Sequence, residues 1–452
     1  MRAVNPATGE TIRDYSETSP QEVEQRLAEA ARAFDAWRKT SVAERAKLMA
    51  KLGDTLRGER DRLAVLMTSE MGKTIVAAEA EATKCAVTCD WFAEHAERLL
   101  APEPAPSDAR KSYLRADPLG TILAVMPWNF PLWQAFRAAI PAVLAGNVMV
   151  LKHASNVPGC ALAIEALFGV AGFPRGVFTT LLLPPSRAEA LVDDARIRGV
   201  TLTGSEEAGR KLAARAGAAL KKTVLELGGS DPFIVLADAD PERVAAQAVT
   251  ARVQNNGQSC IAAKRFIVEA PIAERFEHAF AERMAALKVG DPMDRATDVG
   301  PLARDDLRAT LDRQVRESVA AGARLVTGGT RLPGRGFFYA PTVVADTRPG
   351  IVAFDEETFG PLAAVARVRD DAEAVALANT SRFGLGASVW SGSTERAEAL
   401  AGSLEAGLVF VNGIVKSDAR LPFGGVKASG YGRELAAAGI REFVNLKTVW
   451  VG

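Results

Sequence analysis

The chain has 452 residues, 48% of them hydrophobic and 24% charged, and its 55 basic side chains balance 55 acidic ones. That length exceeds one compact core and calls for two large domains, and the ordinary composition leaves no room for long disorder. Balanced charge gives no nucleic-acid footprint, and the longest apolar runs, 120–126 and 147–151, fall far short of the roughly 20 residues that span a bilayer, so the expected partner is a small molecule rather than nucleic acid or membrane.

No apolar core follows Met1-Arg2, so no secretory signal is read and a cytoplasmic location is expected. Ser19-Pro20-Gln21-Glu22 is a capping box with proline at the first helical position, and Ser41-Val42-Ala43-Glu44 repeats the signal. The first hundred residues are thus expected to be packed helices that supply scaffold more than chemistry. Cys85 and Cys89, one helical turn apart, read as half-buried core thiols; with Cys160 and Cys260 they match neither a zinc site nor a disulfide framework. Three prolines within 101–107 mark a boundary before an extended segment at 111–119. Strand and helix then alternate: strand 120–126, helix from Pro131, strand 147–152, helix from Pro158, then strands 177–182 and 200–203. Helix 206–220 and strands 223–227 and 233–236 follow, the pattern of a doubly wound parallel sheet. A second alternating run over 238–425 predicts a second α/β domain, and 443–451 reads as a terminal strand.

Cys260 follows the small polar turn Asn255-Asn256-Gly257-Gln258-Ser259, which can leave its thiol exposed. Thiolate is the reacting form, and an unperturbed thiol, with a pKa of about 8.5, is only a few per cent ionised at neutral pH. Such a site needs a base or a positive field. Glu226, at the carboxyl end of a strand, stands where doubly wound sheets place ligands and could act as a general base. Asn129 also ends a strand and could donate to an oxyanion. Alone, each reads more readily as a packed thiol, a cap or a turn residue.

Together these segments resemble the aldehyde dehydrogenase superfamily along nearly the whole chain. The motifs that carry the resemblance are Pro127-Trp128-Asn129-Phe130, Lys152 after the next strand, Thr203-Gly204-Ser205 and Glu226-Leu227-Gly228-Gly229. Gly257-Gln258-Ser259-Cys260, Glu357-Thr358-Phe359-Gly360-Pro361 and Pro422-Phe423-Gly424-Gly425 complete the set in the same order. The resemblance implies a Rossmann-type dinucleotide-binding domain (1–102 and 120–229), an α/β catalytic domain (230–428) and a small oligomerisation β-element (103–119 and 429–452) that builds a homodimer or homotetramer.

The resemblance also implies a mechanism. Cys260 attacks an aldehyde, Asn129 and a backbone N–H hold the oxyanion, hydride leaves for a nicotinamide, and Glu226 activates the water that hydrolyses the thioester. No G-x-G-x-x-G follows a strand. Instead the family pattern assigns the pyrophosphate to Gly204 and Ser205 at a helix N-terminus, with Gly209 opening room in that helix. Lys152 is assigned to the adenosine ribose, Glu357 to the nicotinamide ribose and Phe359 to the ring, with Trp128 and Leu227 in the same cofactor set. No metal is implied.

Strictly NAD-using members have a proline after the lysine and an acid three positions beyond it; this chain has Lys152-His153-Ala154-Ser155. A carboxylate at 155 would repel a 2′-phosphate, so NADP is expected to be accepted, with NAD as the alternative. Within the superfamily the chain is most similar to bacterial succinate-semialdehyde dehydrogenases, which implies substrate roles for Arg137 and Arg420, although Gln254 stands where better-known members carry a second arginine. Two alternatives are a coenzyme-A-acylating enzyme, disfavoured by Glu226, and an inactive structural homologue, disfavoured by the retained set Cys260, Glu226, Asn129, Lys152, Glu357 and Phe359.

Overall fold

In the computed structural model, which describes residues 1–452, two mainly parallel sheets are laid out in succession along the chain. The first has Thr121–Met126 at its centre, flanked by Val148–His153 and Phe178–Thr180 on one side and by Ile197–Thr203 and Lys222–Glu226 on the other. Its outermost strand, Gly430–Tyr431, returns from near the C-terminus and pairs antiparallel with Lys222–Glu226, Gly430 opposite Glu226. Part of the stretch 429–452 therefore completes the first sheet, a departure from its expected place in the oligomerisation element.

Residues 227–230 carry the chain across to the second sheet. The strand expected at 233–236 is Asp231–Val235, and it begins this second sheet instead of extending the first. Asp231–Val235 pairs in parallel with Ala263–Glu269 and with Gly386–Trp390. Leu362–Val368 and Thr342–Ala345 lie beyond Ala263–Glu269, with Arg324–Thr327 antiparallel at that edge; Leu408–Val411 closes the other edge. The terminal strand Val444–Val451 pairs antiparallel with Lys111–Pro118, which also pairs with Glu103–Pro104, leaving Leu446 and Trp450 exposed.

Both capping boxes form. Ser19 accepts from the Glu22 N–H at 3.2 Å and Glu22 accepts from the Ser19 N–H at 2.8 Å, and Ser41 and Glu44 repeat the same pair of bonds. The helices Pro20–Trp37 and Val42–Gly58 start there. Cys85 and Cys89 are completely buried rather than half-buried. They lie on the helix Ile75–Leu100, and helix Val42–Gly58 packs closely there because Gly53 has no Cβ, which would come 2.8 Å from Asp90. No helix is long and apolar enough to cross a membrane.

The helix Trp133–Leu144 is buried on every side, as its almost continuously apolar sequence requires. It starts two residues later than Pro131, and Glu81 explains where: its carboxylate accepts the N–H groups of Leu132 and Trp133 at 2.9 and 2.8 Å. Glu81 is itself buried and paired with Lys73, whose ammonium lies 4.2 Å from the Phe130 ring. The orphan donors of this helix start are thus satisfied by a side chain from the N-terminal helices.

Candidate active site

Cys260 lies where two cavities meet. One, enclosing about 590 Å³, is lined by Pro127, Trp128, Asn129, Thr203 to Ser205, Leu227, Gly228, Glu357 and Phe359. The other, about 890 Å³, takes its walls from Ala77, Ala80, Lys84, Phe130, Trp133, Arg137, Ile261, Ser417 and Phe423, among others. Gln134 and Cys260 line both. The first sheet presents its carboxyl edge to the cleft, as a doubly wound sheet should. The second sheet presents its amino edge: Cys260 precedes Ala263–Glu269, and Glu357 and Phe359 precede Leu362–Val368.

The cysteine loop is held in a tight conformation. Asn255, Asn256 and Gly257 all have positive φ, at 55°, 58° and 75°, a region that asparagine and glycine tolerate best. Asn255 Nδ2 donates to the carbonyls of Asn129 and Gln258 at 2.7 and 3.0 Å, and Asn256 Nδ2 donates to those of Gly72 and Pro301 at 2.8 and 3.1 Å. At Gly257 a Cβ would fall 2.4 Å from the Gly360 backbone. Lys264 Nζ donates to the carbonyls of Ser259, Cys260 and Ala262 at 3.1, 2.8 and 3.1 Å, clamping the loop from below. Asn129 Nδ2 donates to Gln258 O at 3.1 Å.

Burial pushes the Cys260 thiol up to about 12, against the opposing fields of Arg137 and Lys264. It is therefore protonated at neutral pH, and the positive field is present but outweighed. Glu226 is buried, neither carboxylate oxygen has a hydrogen-bond partner, and burial drives its carboxyl well above the usual range despite Arg137. It lines neither cavity: an added Cβ at Gly424 would lie 2.7 Å from its Oε1, so the carboxylate is packed into the protein. The expected reach from Glu226 to a water beside Cys260 is absent in this rotamer.

Of the residues expected to bind cofactor, Trp128, Gly204, Ser205, Leu227, Glu357 and Phe359 all come together on the smaller cavity. Trp128 and Phe359 meet edge to face, centroids 5.7 Å apart. Glu357 accepts from the Gly229 N–H at 2.9 Å and lies 3.9 Å from Lys264. Ser205 caps the helix Glu206–Ala218. Lys152 is the penultimate residue of the neighbouring strand Val148–His153 and Ser155 lies two residues past its end, both outside this wall; no acidic group acts on the Lys152 ammonium, and burial alone lowers it. Gly209 needs a correction. The room it makes is for a side chain and not directly for a ligand: its Cβ would sit 2.6 Å from Leu227 Cδ2, so the glycine lets Leu227 pack against the helix.

The substrate residues divide. Arg137 reaches the larger cavity, but its guanidinium is buried, paired with Glu434, bonded to Thr203 Oγ1 at 3.3 Å and stacked 4.3 Å over Phe423. Arg420 is overturned as a cavity residue. It is exposed and held by Asp418, two residues away, at 2.6 and 2.8 Å, while Ser417 of the same loop is the one that enters the cavity. Three further groups went unforeseen as functional. Lys264 and Glu81 position the two loops, and His153 holds Pro131, its Nδ1 accepting from Ala154 N–H at 2.8 Å so that Nε2 donates to Pro131 O at 2.8 Å. Burial lowers this imidazole to about 4 and keeps it neutral. Ala77, Ala80, Glu81 and Lys84 are spaced as one helix face, the sole sequence signal for them, and one shared with any amphipathic helix.

A cysteine shared by two cavities, an amide beside it and a cleft at a sheet's carboxyl edge match the architecture of a cysteine-dependent dehydrogenase. The aldehyde dehydrogenase family model matches residues 1–449, and the chain belongs to that family. It is 52% identical over 454 residues to succinate-semialdehyde dehydrogenase (NADP+) 1 of Mycobacterium tuberculosis, covering 100% of this chain and 99% of that one. It is equally 52% identical, over 451 residues and the same shares, to a probable succinate-semialdehyde dehydrogenase (NADP+) of Synechocystis sp.. Succinic semialdehyde dehydrogenase from Streptococcus pyogenes, solved with NADP+, superposes with a TM-score of 0.97 at 37% identity, over 100% of this chain and 99% of that one.

Proposed function

We propose that this protein oxidises succinate semialdehyde to succinate with NADP+ as the favoured oxidant. The observation that carries this reading is the thiol shared by a cleft at a sheet's carboxyl edge and a cation-bearing cavity; the activities for which the relatives are named support it.

The residues present fit a phosphorylated dinucleotide. Lys152 has no acidic partner, Ser155 supplies a hydroxyl where a carboxylate would repel a 2′-phosphate, and Ser205 caps a helix whose N-terminus favours the pyrophosphate. Glu357, beside Gly228 and Gly229, is placed for ribose hydroxyls, and Phe359 for the ring. When bound, the nicotinamide supplies the hydride acceptor. The Cys260 thiol gives its proton to water in the cleft and its sulfur adds to the aldehyde carbon, whose carbonyl π electrons pass to oxygen, and Arg137 and Lys264 lower the cost of the thiolate. The oxyanion takes a hydrogen bond from Asn129 Nδ2 and from a backbone N–H near Cys260. After the oxidation leaves a thioester on Cys260, Glu226 turns from its buried position toward the cleft and takes a proton from water, whose oxygen displaces the sulfur.

We also assign the edge formed by Lys111–Pro118 and Val444–Val451, with exposed Leu446 and Trp450, to a homodimer or homotetramer contact, and retain the division of the two larger domains at 229/230.

Reduced-cofactor absorbance tests the reading. Succinate semialdehyde should exceed butanal, and NADP+ should exceed NAD+, by about tenfold or more in kcat/KM, a difference of about 1.4 kcal/mol, and Cys260→Ala should abolish turnover. Preference for butanal would remove the substrate assignment; turnover without Cys260 would remove the mechanism.

A further inference from the structure

We infer that Lys84, held by the Ser417 hydroxyl, is a further residue that selects the distal carboxylate of the aldehyde, beside Arg137. The inference rests on the reading above that the substrate is an ω-carboxylated aldehyde.

Lys84 projects from the helix Ile75–Leu100 into the same cavity as Cys260. Its ammonium donates to Ser417 Oγ at 2.6 Å and lies 4.2 Å from the Trp133 ring, and no carboxylate pairs with it. Phe130, Phe423, Ile261, Ala77 and Ala80 make one part of this wall apolar, and uncharged polar groups, among them Gln134, Asn255 and Ser259, make another. A cation in such surroundings is costly until an anion joins it, and a substrate carboxylate is the anion that the cavity can admit. Because Ser417 accepts from Lys84, its own proton remains available to a second acceptor, so ammonium and hydroxyl together offer two donors to one carboxylate.

Arg137 also faces this cavity, but its charge is largely committed within the protein. Glu434 neutralises it, Thr203 takes one N–H, and Phe423 covers a face. Arg137 acts on the site as a fixed field, repelling Lys84 and favouring ionised Cys260 and Glu226. Lys416, the other lysine on this cavity, is exposed, where water already solvates it.

A pH signature accompanies the assignment. Burial first, then Arg137, lowers the Lys84 ammonium to about 8, while Cys85, Glu81 and Asp418 pull the other way; Lys416 is the remaining charge on this wall. The protonated form binds a carboxylate, so in the free enzyme this recognition is present below about pH 8 and lost above it. The kcat/KM ratio of succinate semialdehyde to butanal reports that loss alone, since the ionisations of Cys260 and Glu226 enter both substrates.

The test uses the intact enzyme, wild type against Lys84→Met and Lys84→Arg, with both aldehydes across the alkaline limb. In Lys84→Met the ratio should fall by about 30-fold, mainly through KM for succinate semialdehyde, with butanal within about twofold, and should no longer depend on pH. Lys84→Arg should recover part of the ratio. A wild-type preference that survives in Lys84→Met overturns this assignment and leaves the substrate reading standing, and equal losses with both aldehydes show a structural role and overturn it too. A wild type with no preference overturns the substrate reading and this assignment with it.

Discussion

The two cavities that meet at Cys260 are built by different rules. The cofactor cleft is made from strand ends and the few residues just beyond them: 127–129, 203–205 and 227–228 from the first sheet, and 357–359 from the loop entering the second. Each contributor is a run of neighbours, so backbone geometry places several functional groups at once. The aldehyde cavity is made from helix faces and single side chains drawn from distant parts of the chain, among them Ala77, Lys84, Arg137, Ile261 and Ser417. Chemistry common to many dehydrogenases can sit in the first kind of site, while selectivity for one aldehyde can change in the second by single substitutions that leave the cleft intact.

Glu226 belongs to neither cavity, and replacing it gives the largest effect that separates them. Glu226→Gln should leave cofactor binding and acylation in place and slow hydrolysis by about 10²- to 10⁴-fold, so rapid mixing should show a burst of one reduced cofactor per site and then almost nothing. A variant with no burst would mean that Glu226 serves the first half-reaction. The sign of the pH effect follows from its raised carboxyl. The base is ionised only above that raised value, so wild-type deacylation should climb with pH through it, and the variant should lack that limb. Burial of this unpartnered carboxyl costs the fold least while it is protonated. Wild-type stability relative to Glu226→Gln is complete in acid and lost as pH rises through the folded-state value, which a series of Tm measurements would reveal.

This contrast also sets what the sequence could disclose. Trp128, Asn129, Gly204, Ser205, Leu227, Glu357 and Phe359 fall in short runs whose order along the chain carries the family resemblance, and it is that resemblance, rather than local geometry, that groups them; the two capping boxes alone are legible from local spacing. Lys84, Glu81 and Lys73 are legible in neither way. They lie on helices whose periodicity signals only a buried face, and the first hundred residues read as scaffold because nothing local shows that this face meets Arg137 and Cys260. Arg420 misled for the converse reason: a loop arginine with a plausible neighbourhood was satisfied by Asp418 two residues away, a contact without a periodic signature. The direction in which Glu226 points was likewise invisible, because a strand position fixes the Cα and leaves the rotamer to packing.

A smaller effect sharpens the cofactor side. Ser155→Glu would place a carboxylate after the strand Val148–His153, on the segment that carries Lys152. Repulsion of a 2′-phosphate by about 1.4–2.8 kcal/mol would lower kcat/KM for NADP+ by about 10- to 100-fold and leave NAD+ nearly unchanged. The aldehyde preference should not move, since position 155 lines neither cavity. Equal losses with both cofactors would place Ser155 away from the 2′ position.

The smallest expected effect tests whether the cofactor cleft is set by packing as well as by its lining groups. Gly209 lies inside the helix Glu206–Ala218, and a Cβ there would meet Leu227 at 2.6, 2.8 and 3.3 Å. Those three atoms are the whole branched end of the side chain, so Leu227 must move as a unit, and it lines both the cleft and a second cavity beside this helix. Gly209→Ala brings two opposed changes in stability. Overpacking costs about 1–3 kcal/mol, and replacing a helical glycine by alanine returns about 1 kcal/mol. The net change in Tm should therefore be small, while KM for the cofactor rises by about three- to tenfold and the succinate semialdehyde to butanal ratio stays constant. A large fall in Tm with an unchanged cofactor KM would mean that Leu227 yields toward the core, and the cleft would then owe its shape to strand ends alone. A rise in KM at constant Tm would show that a residue touching no ligand holds the cleft open through the side chain it seats.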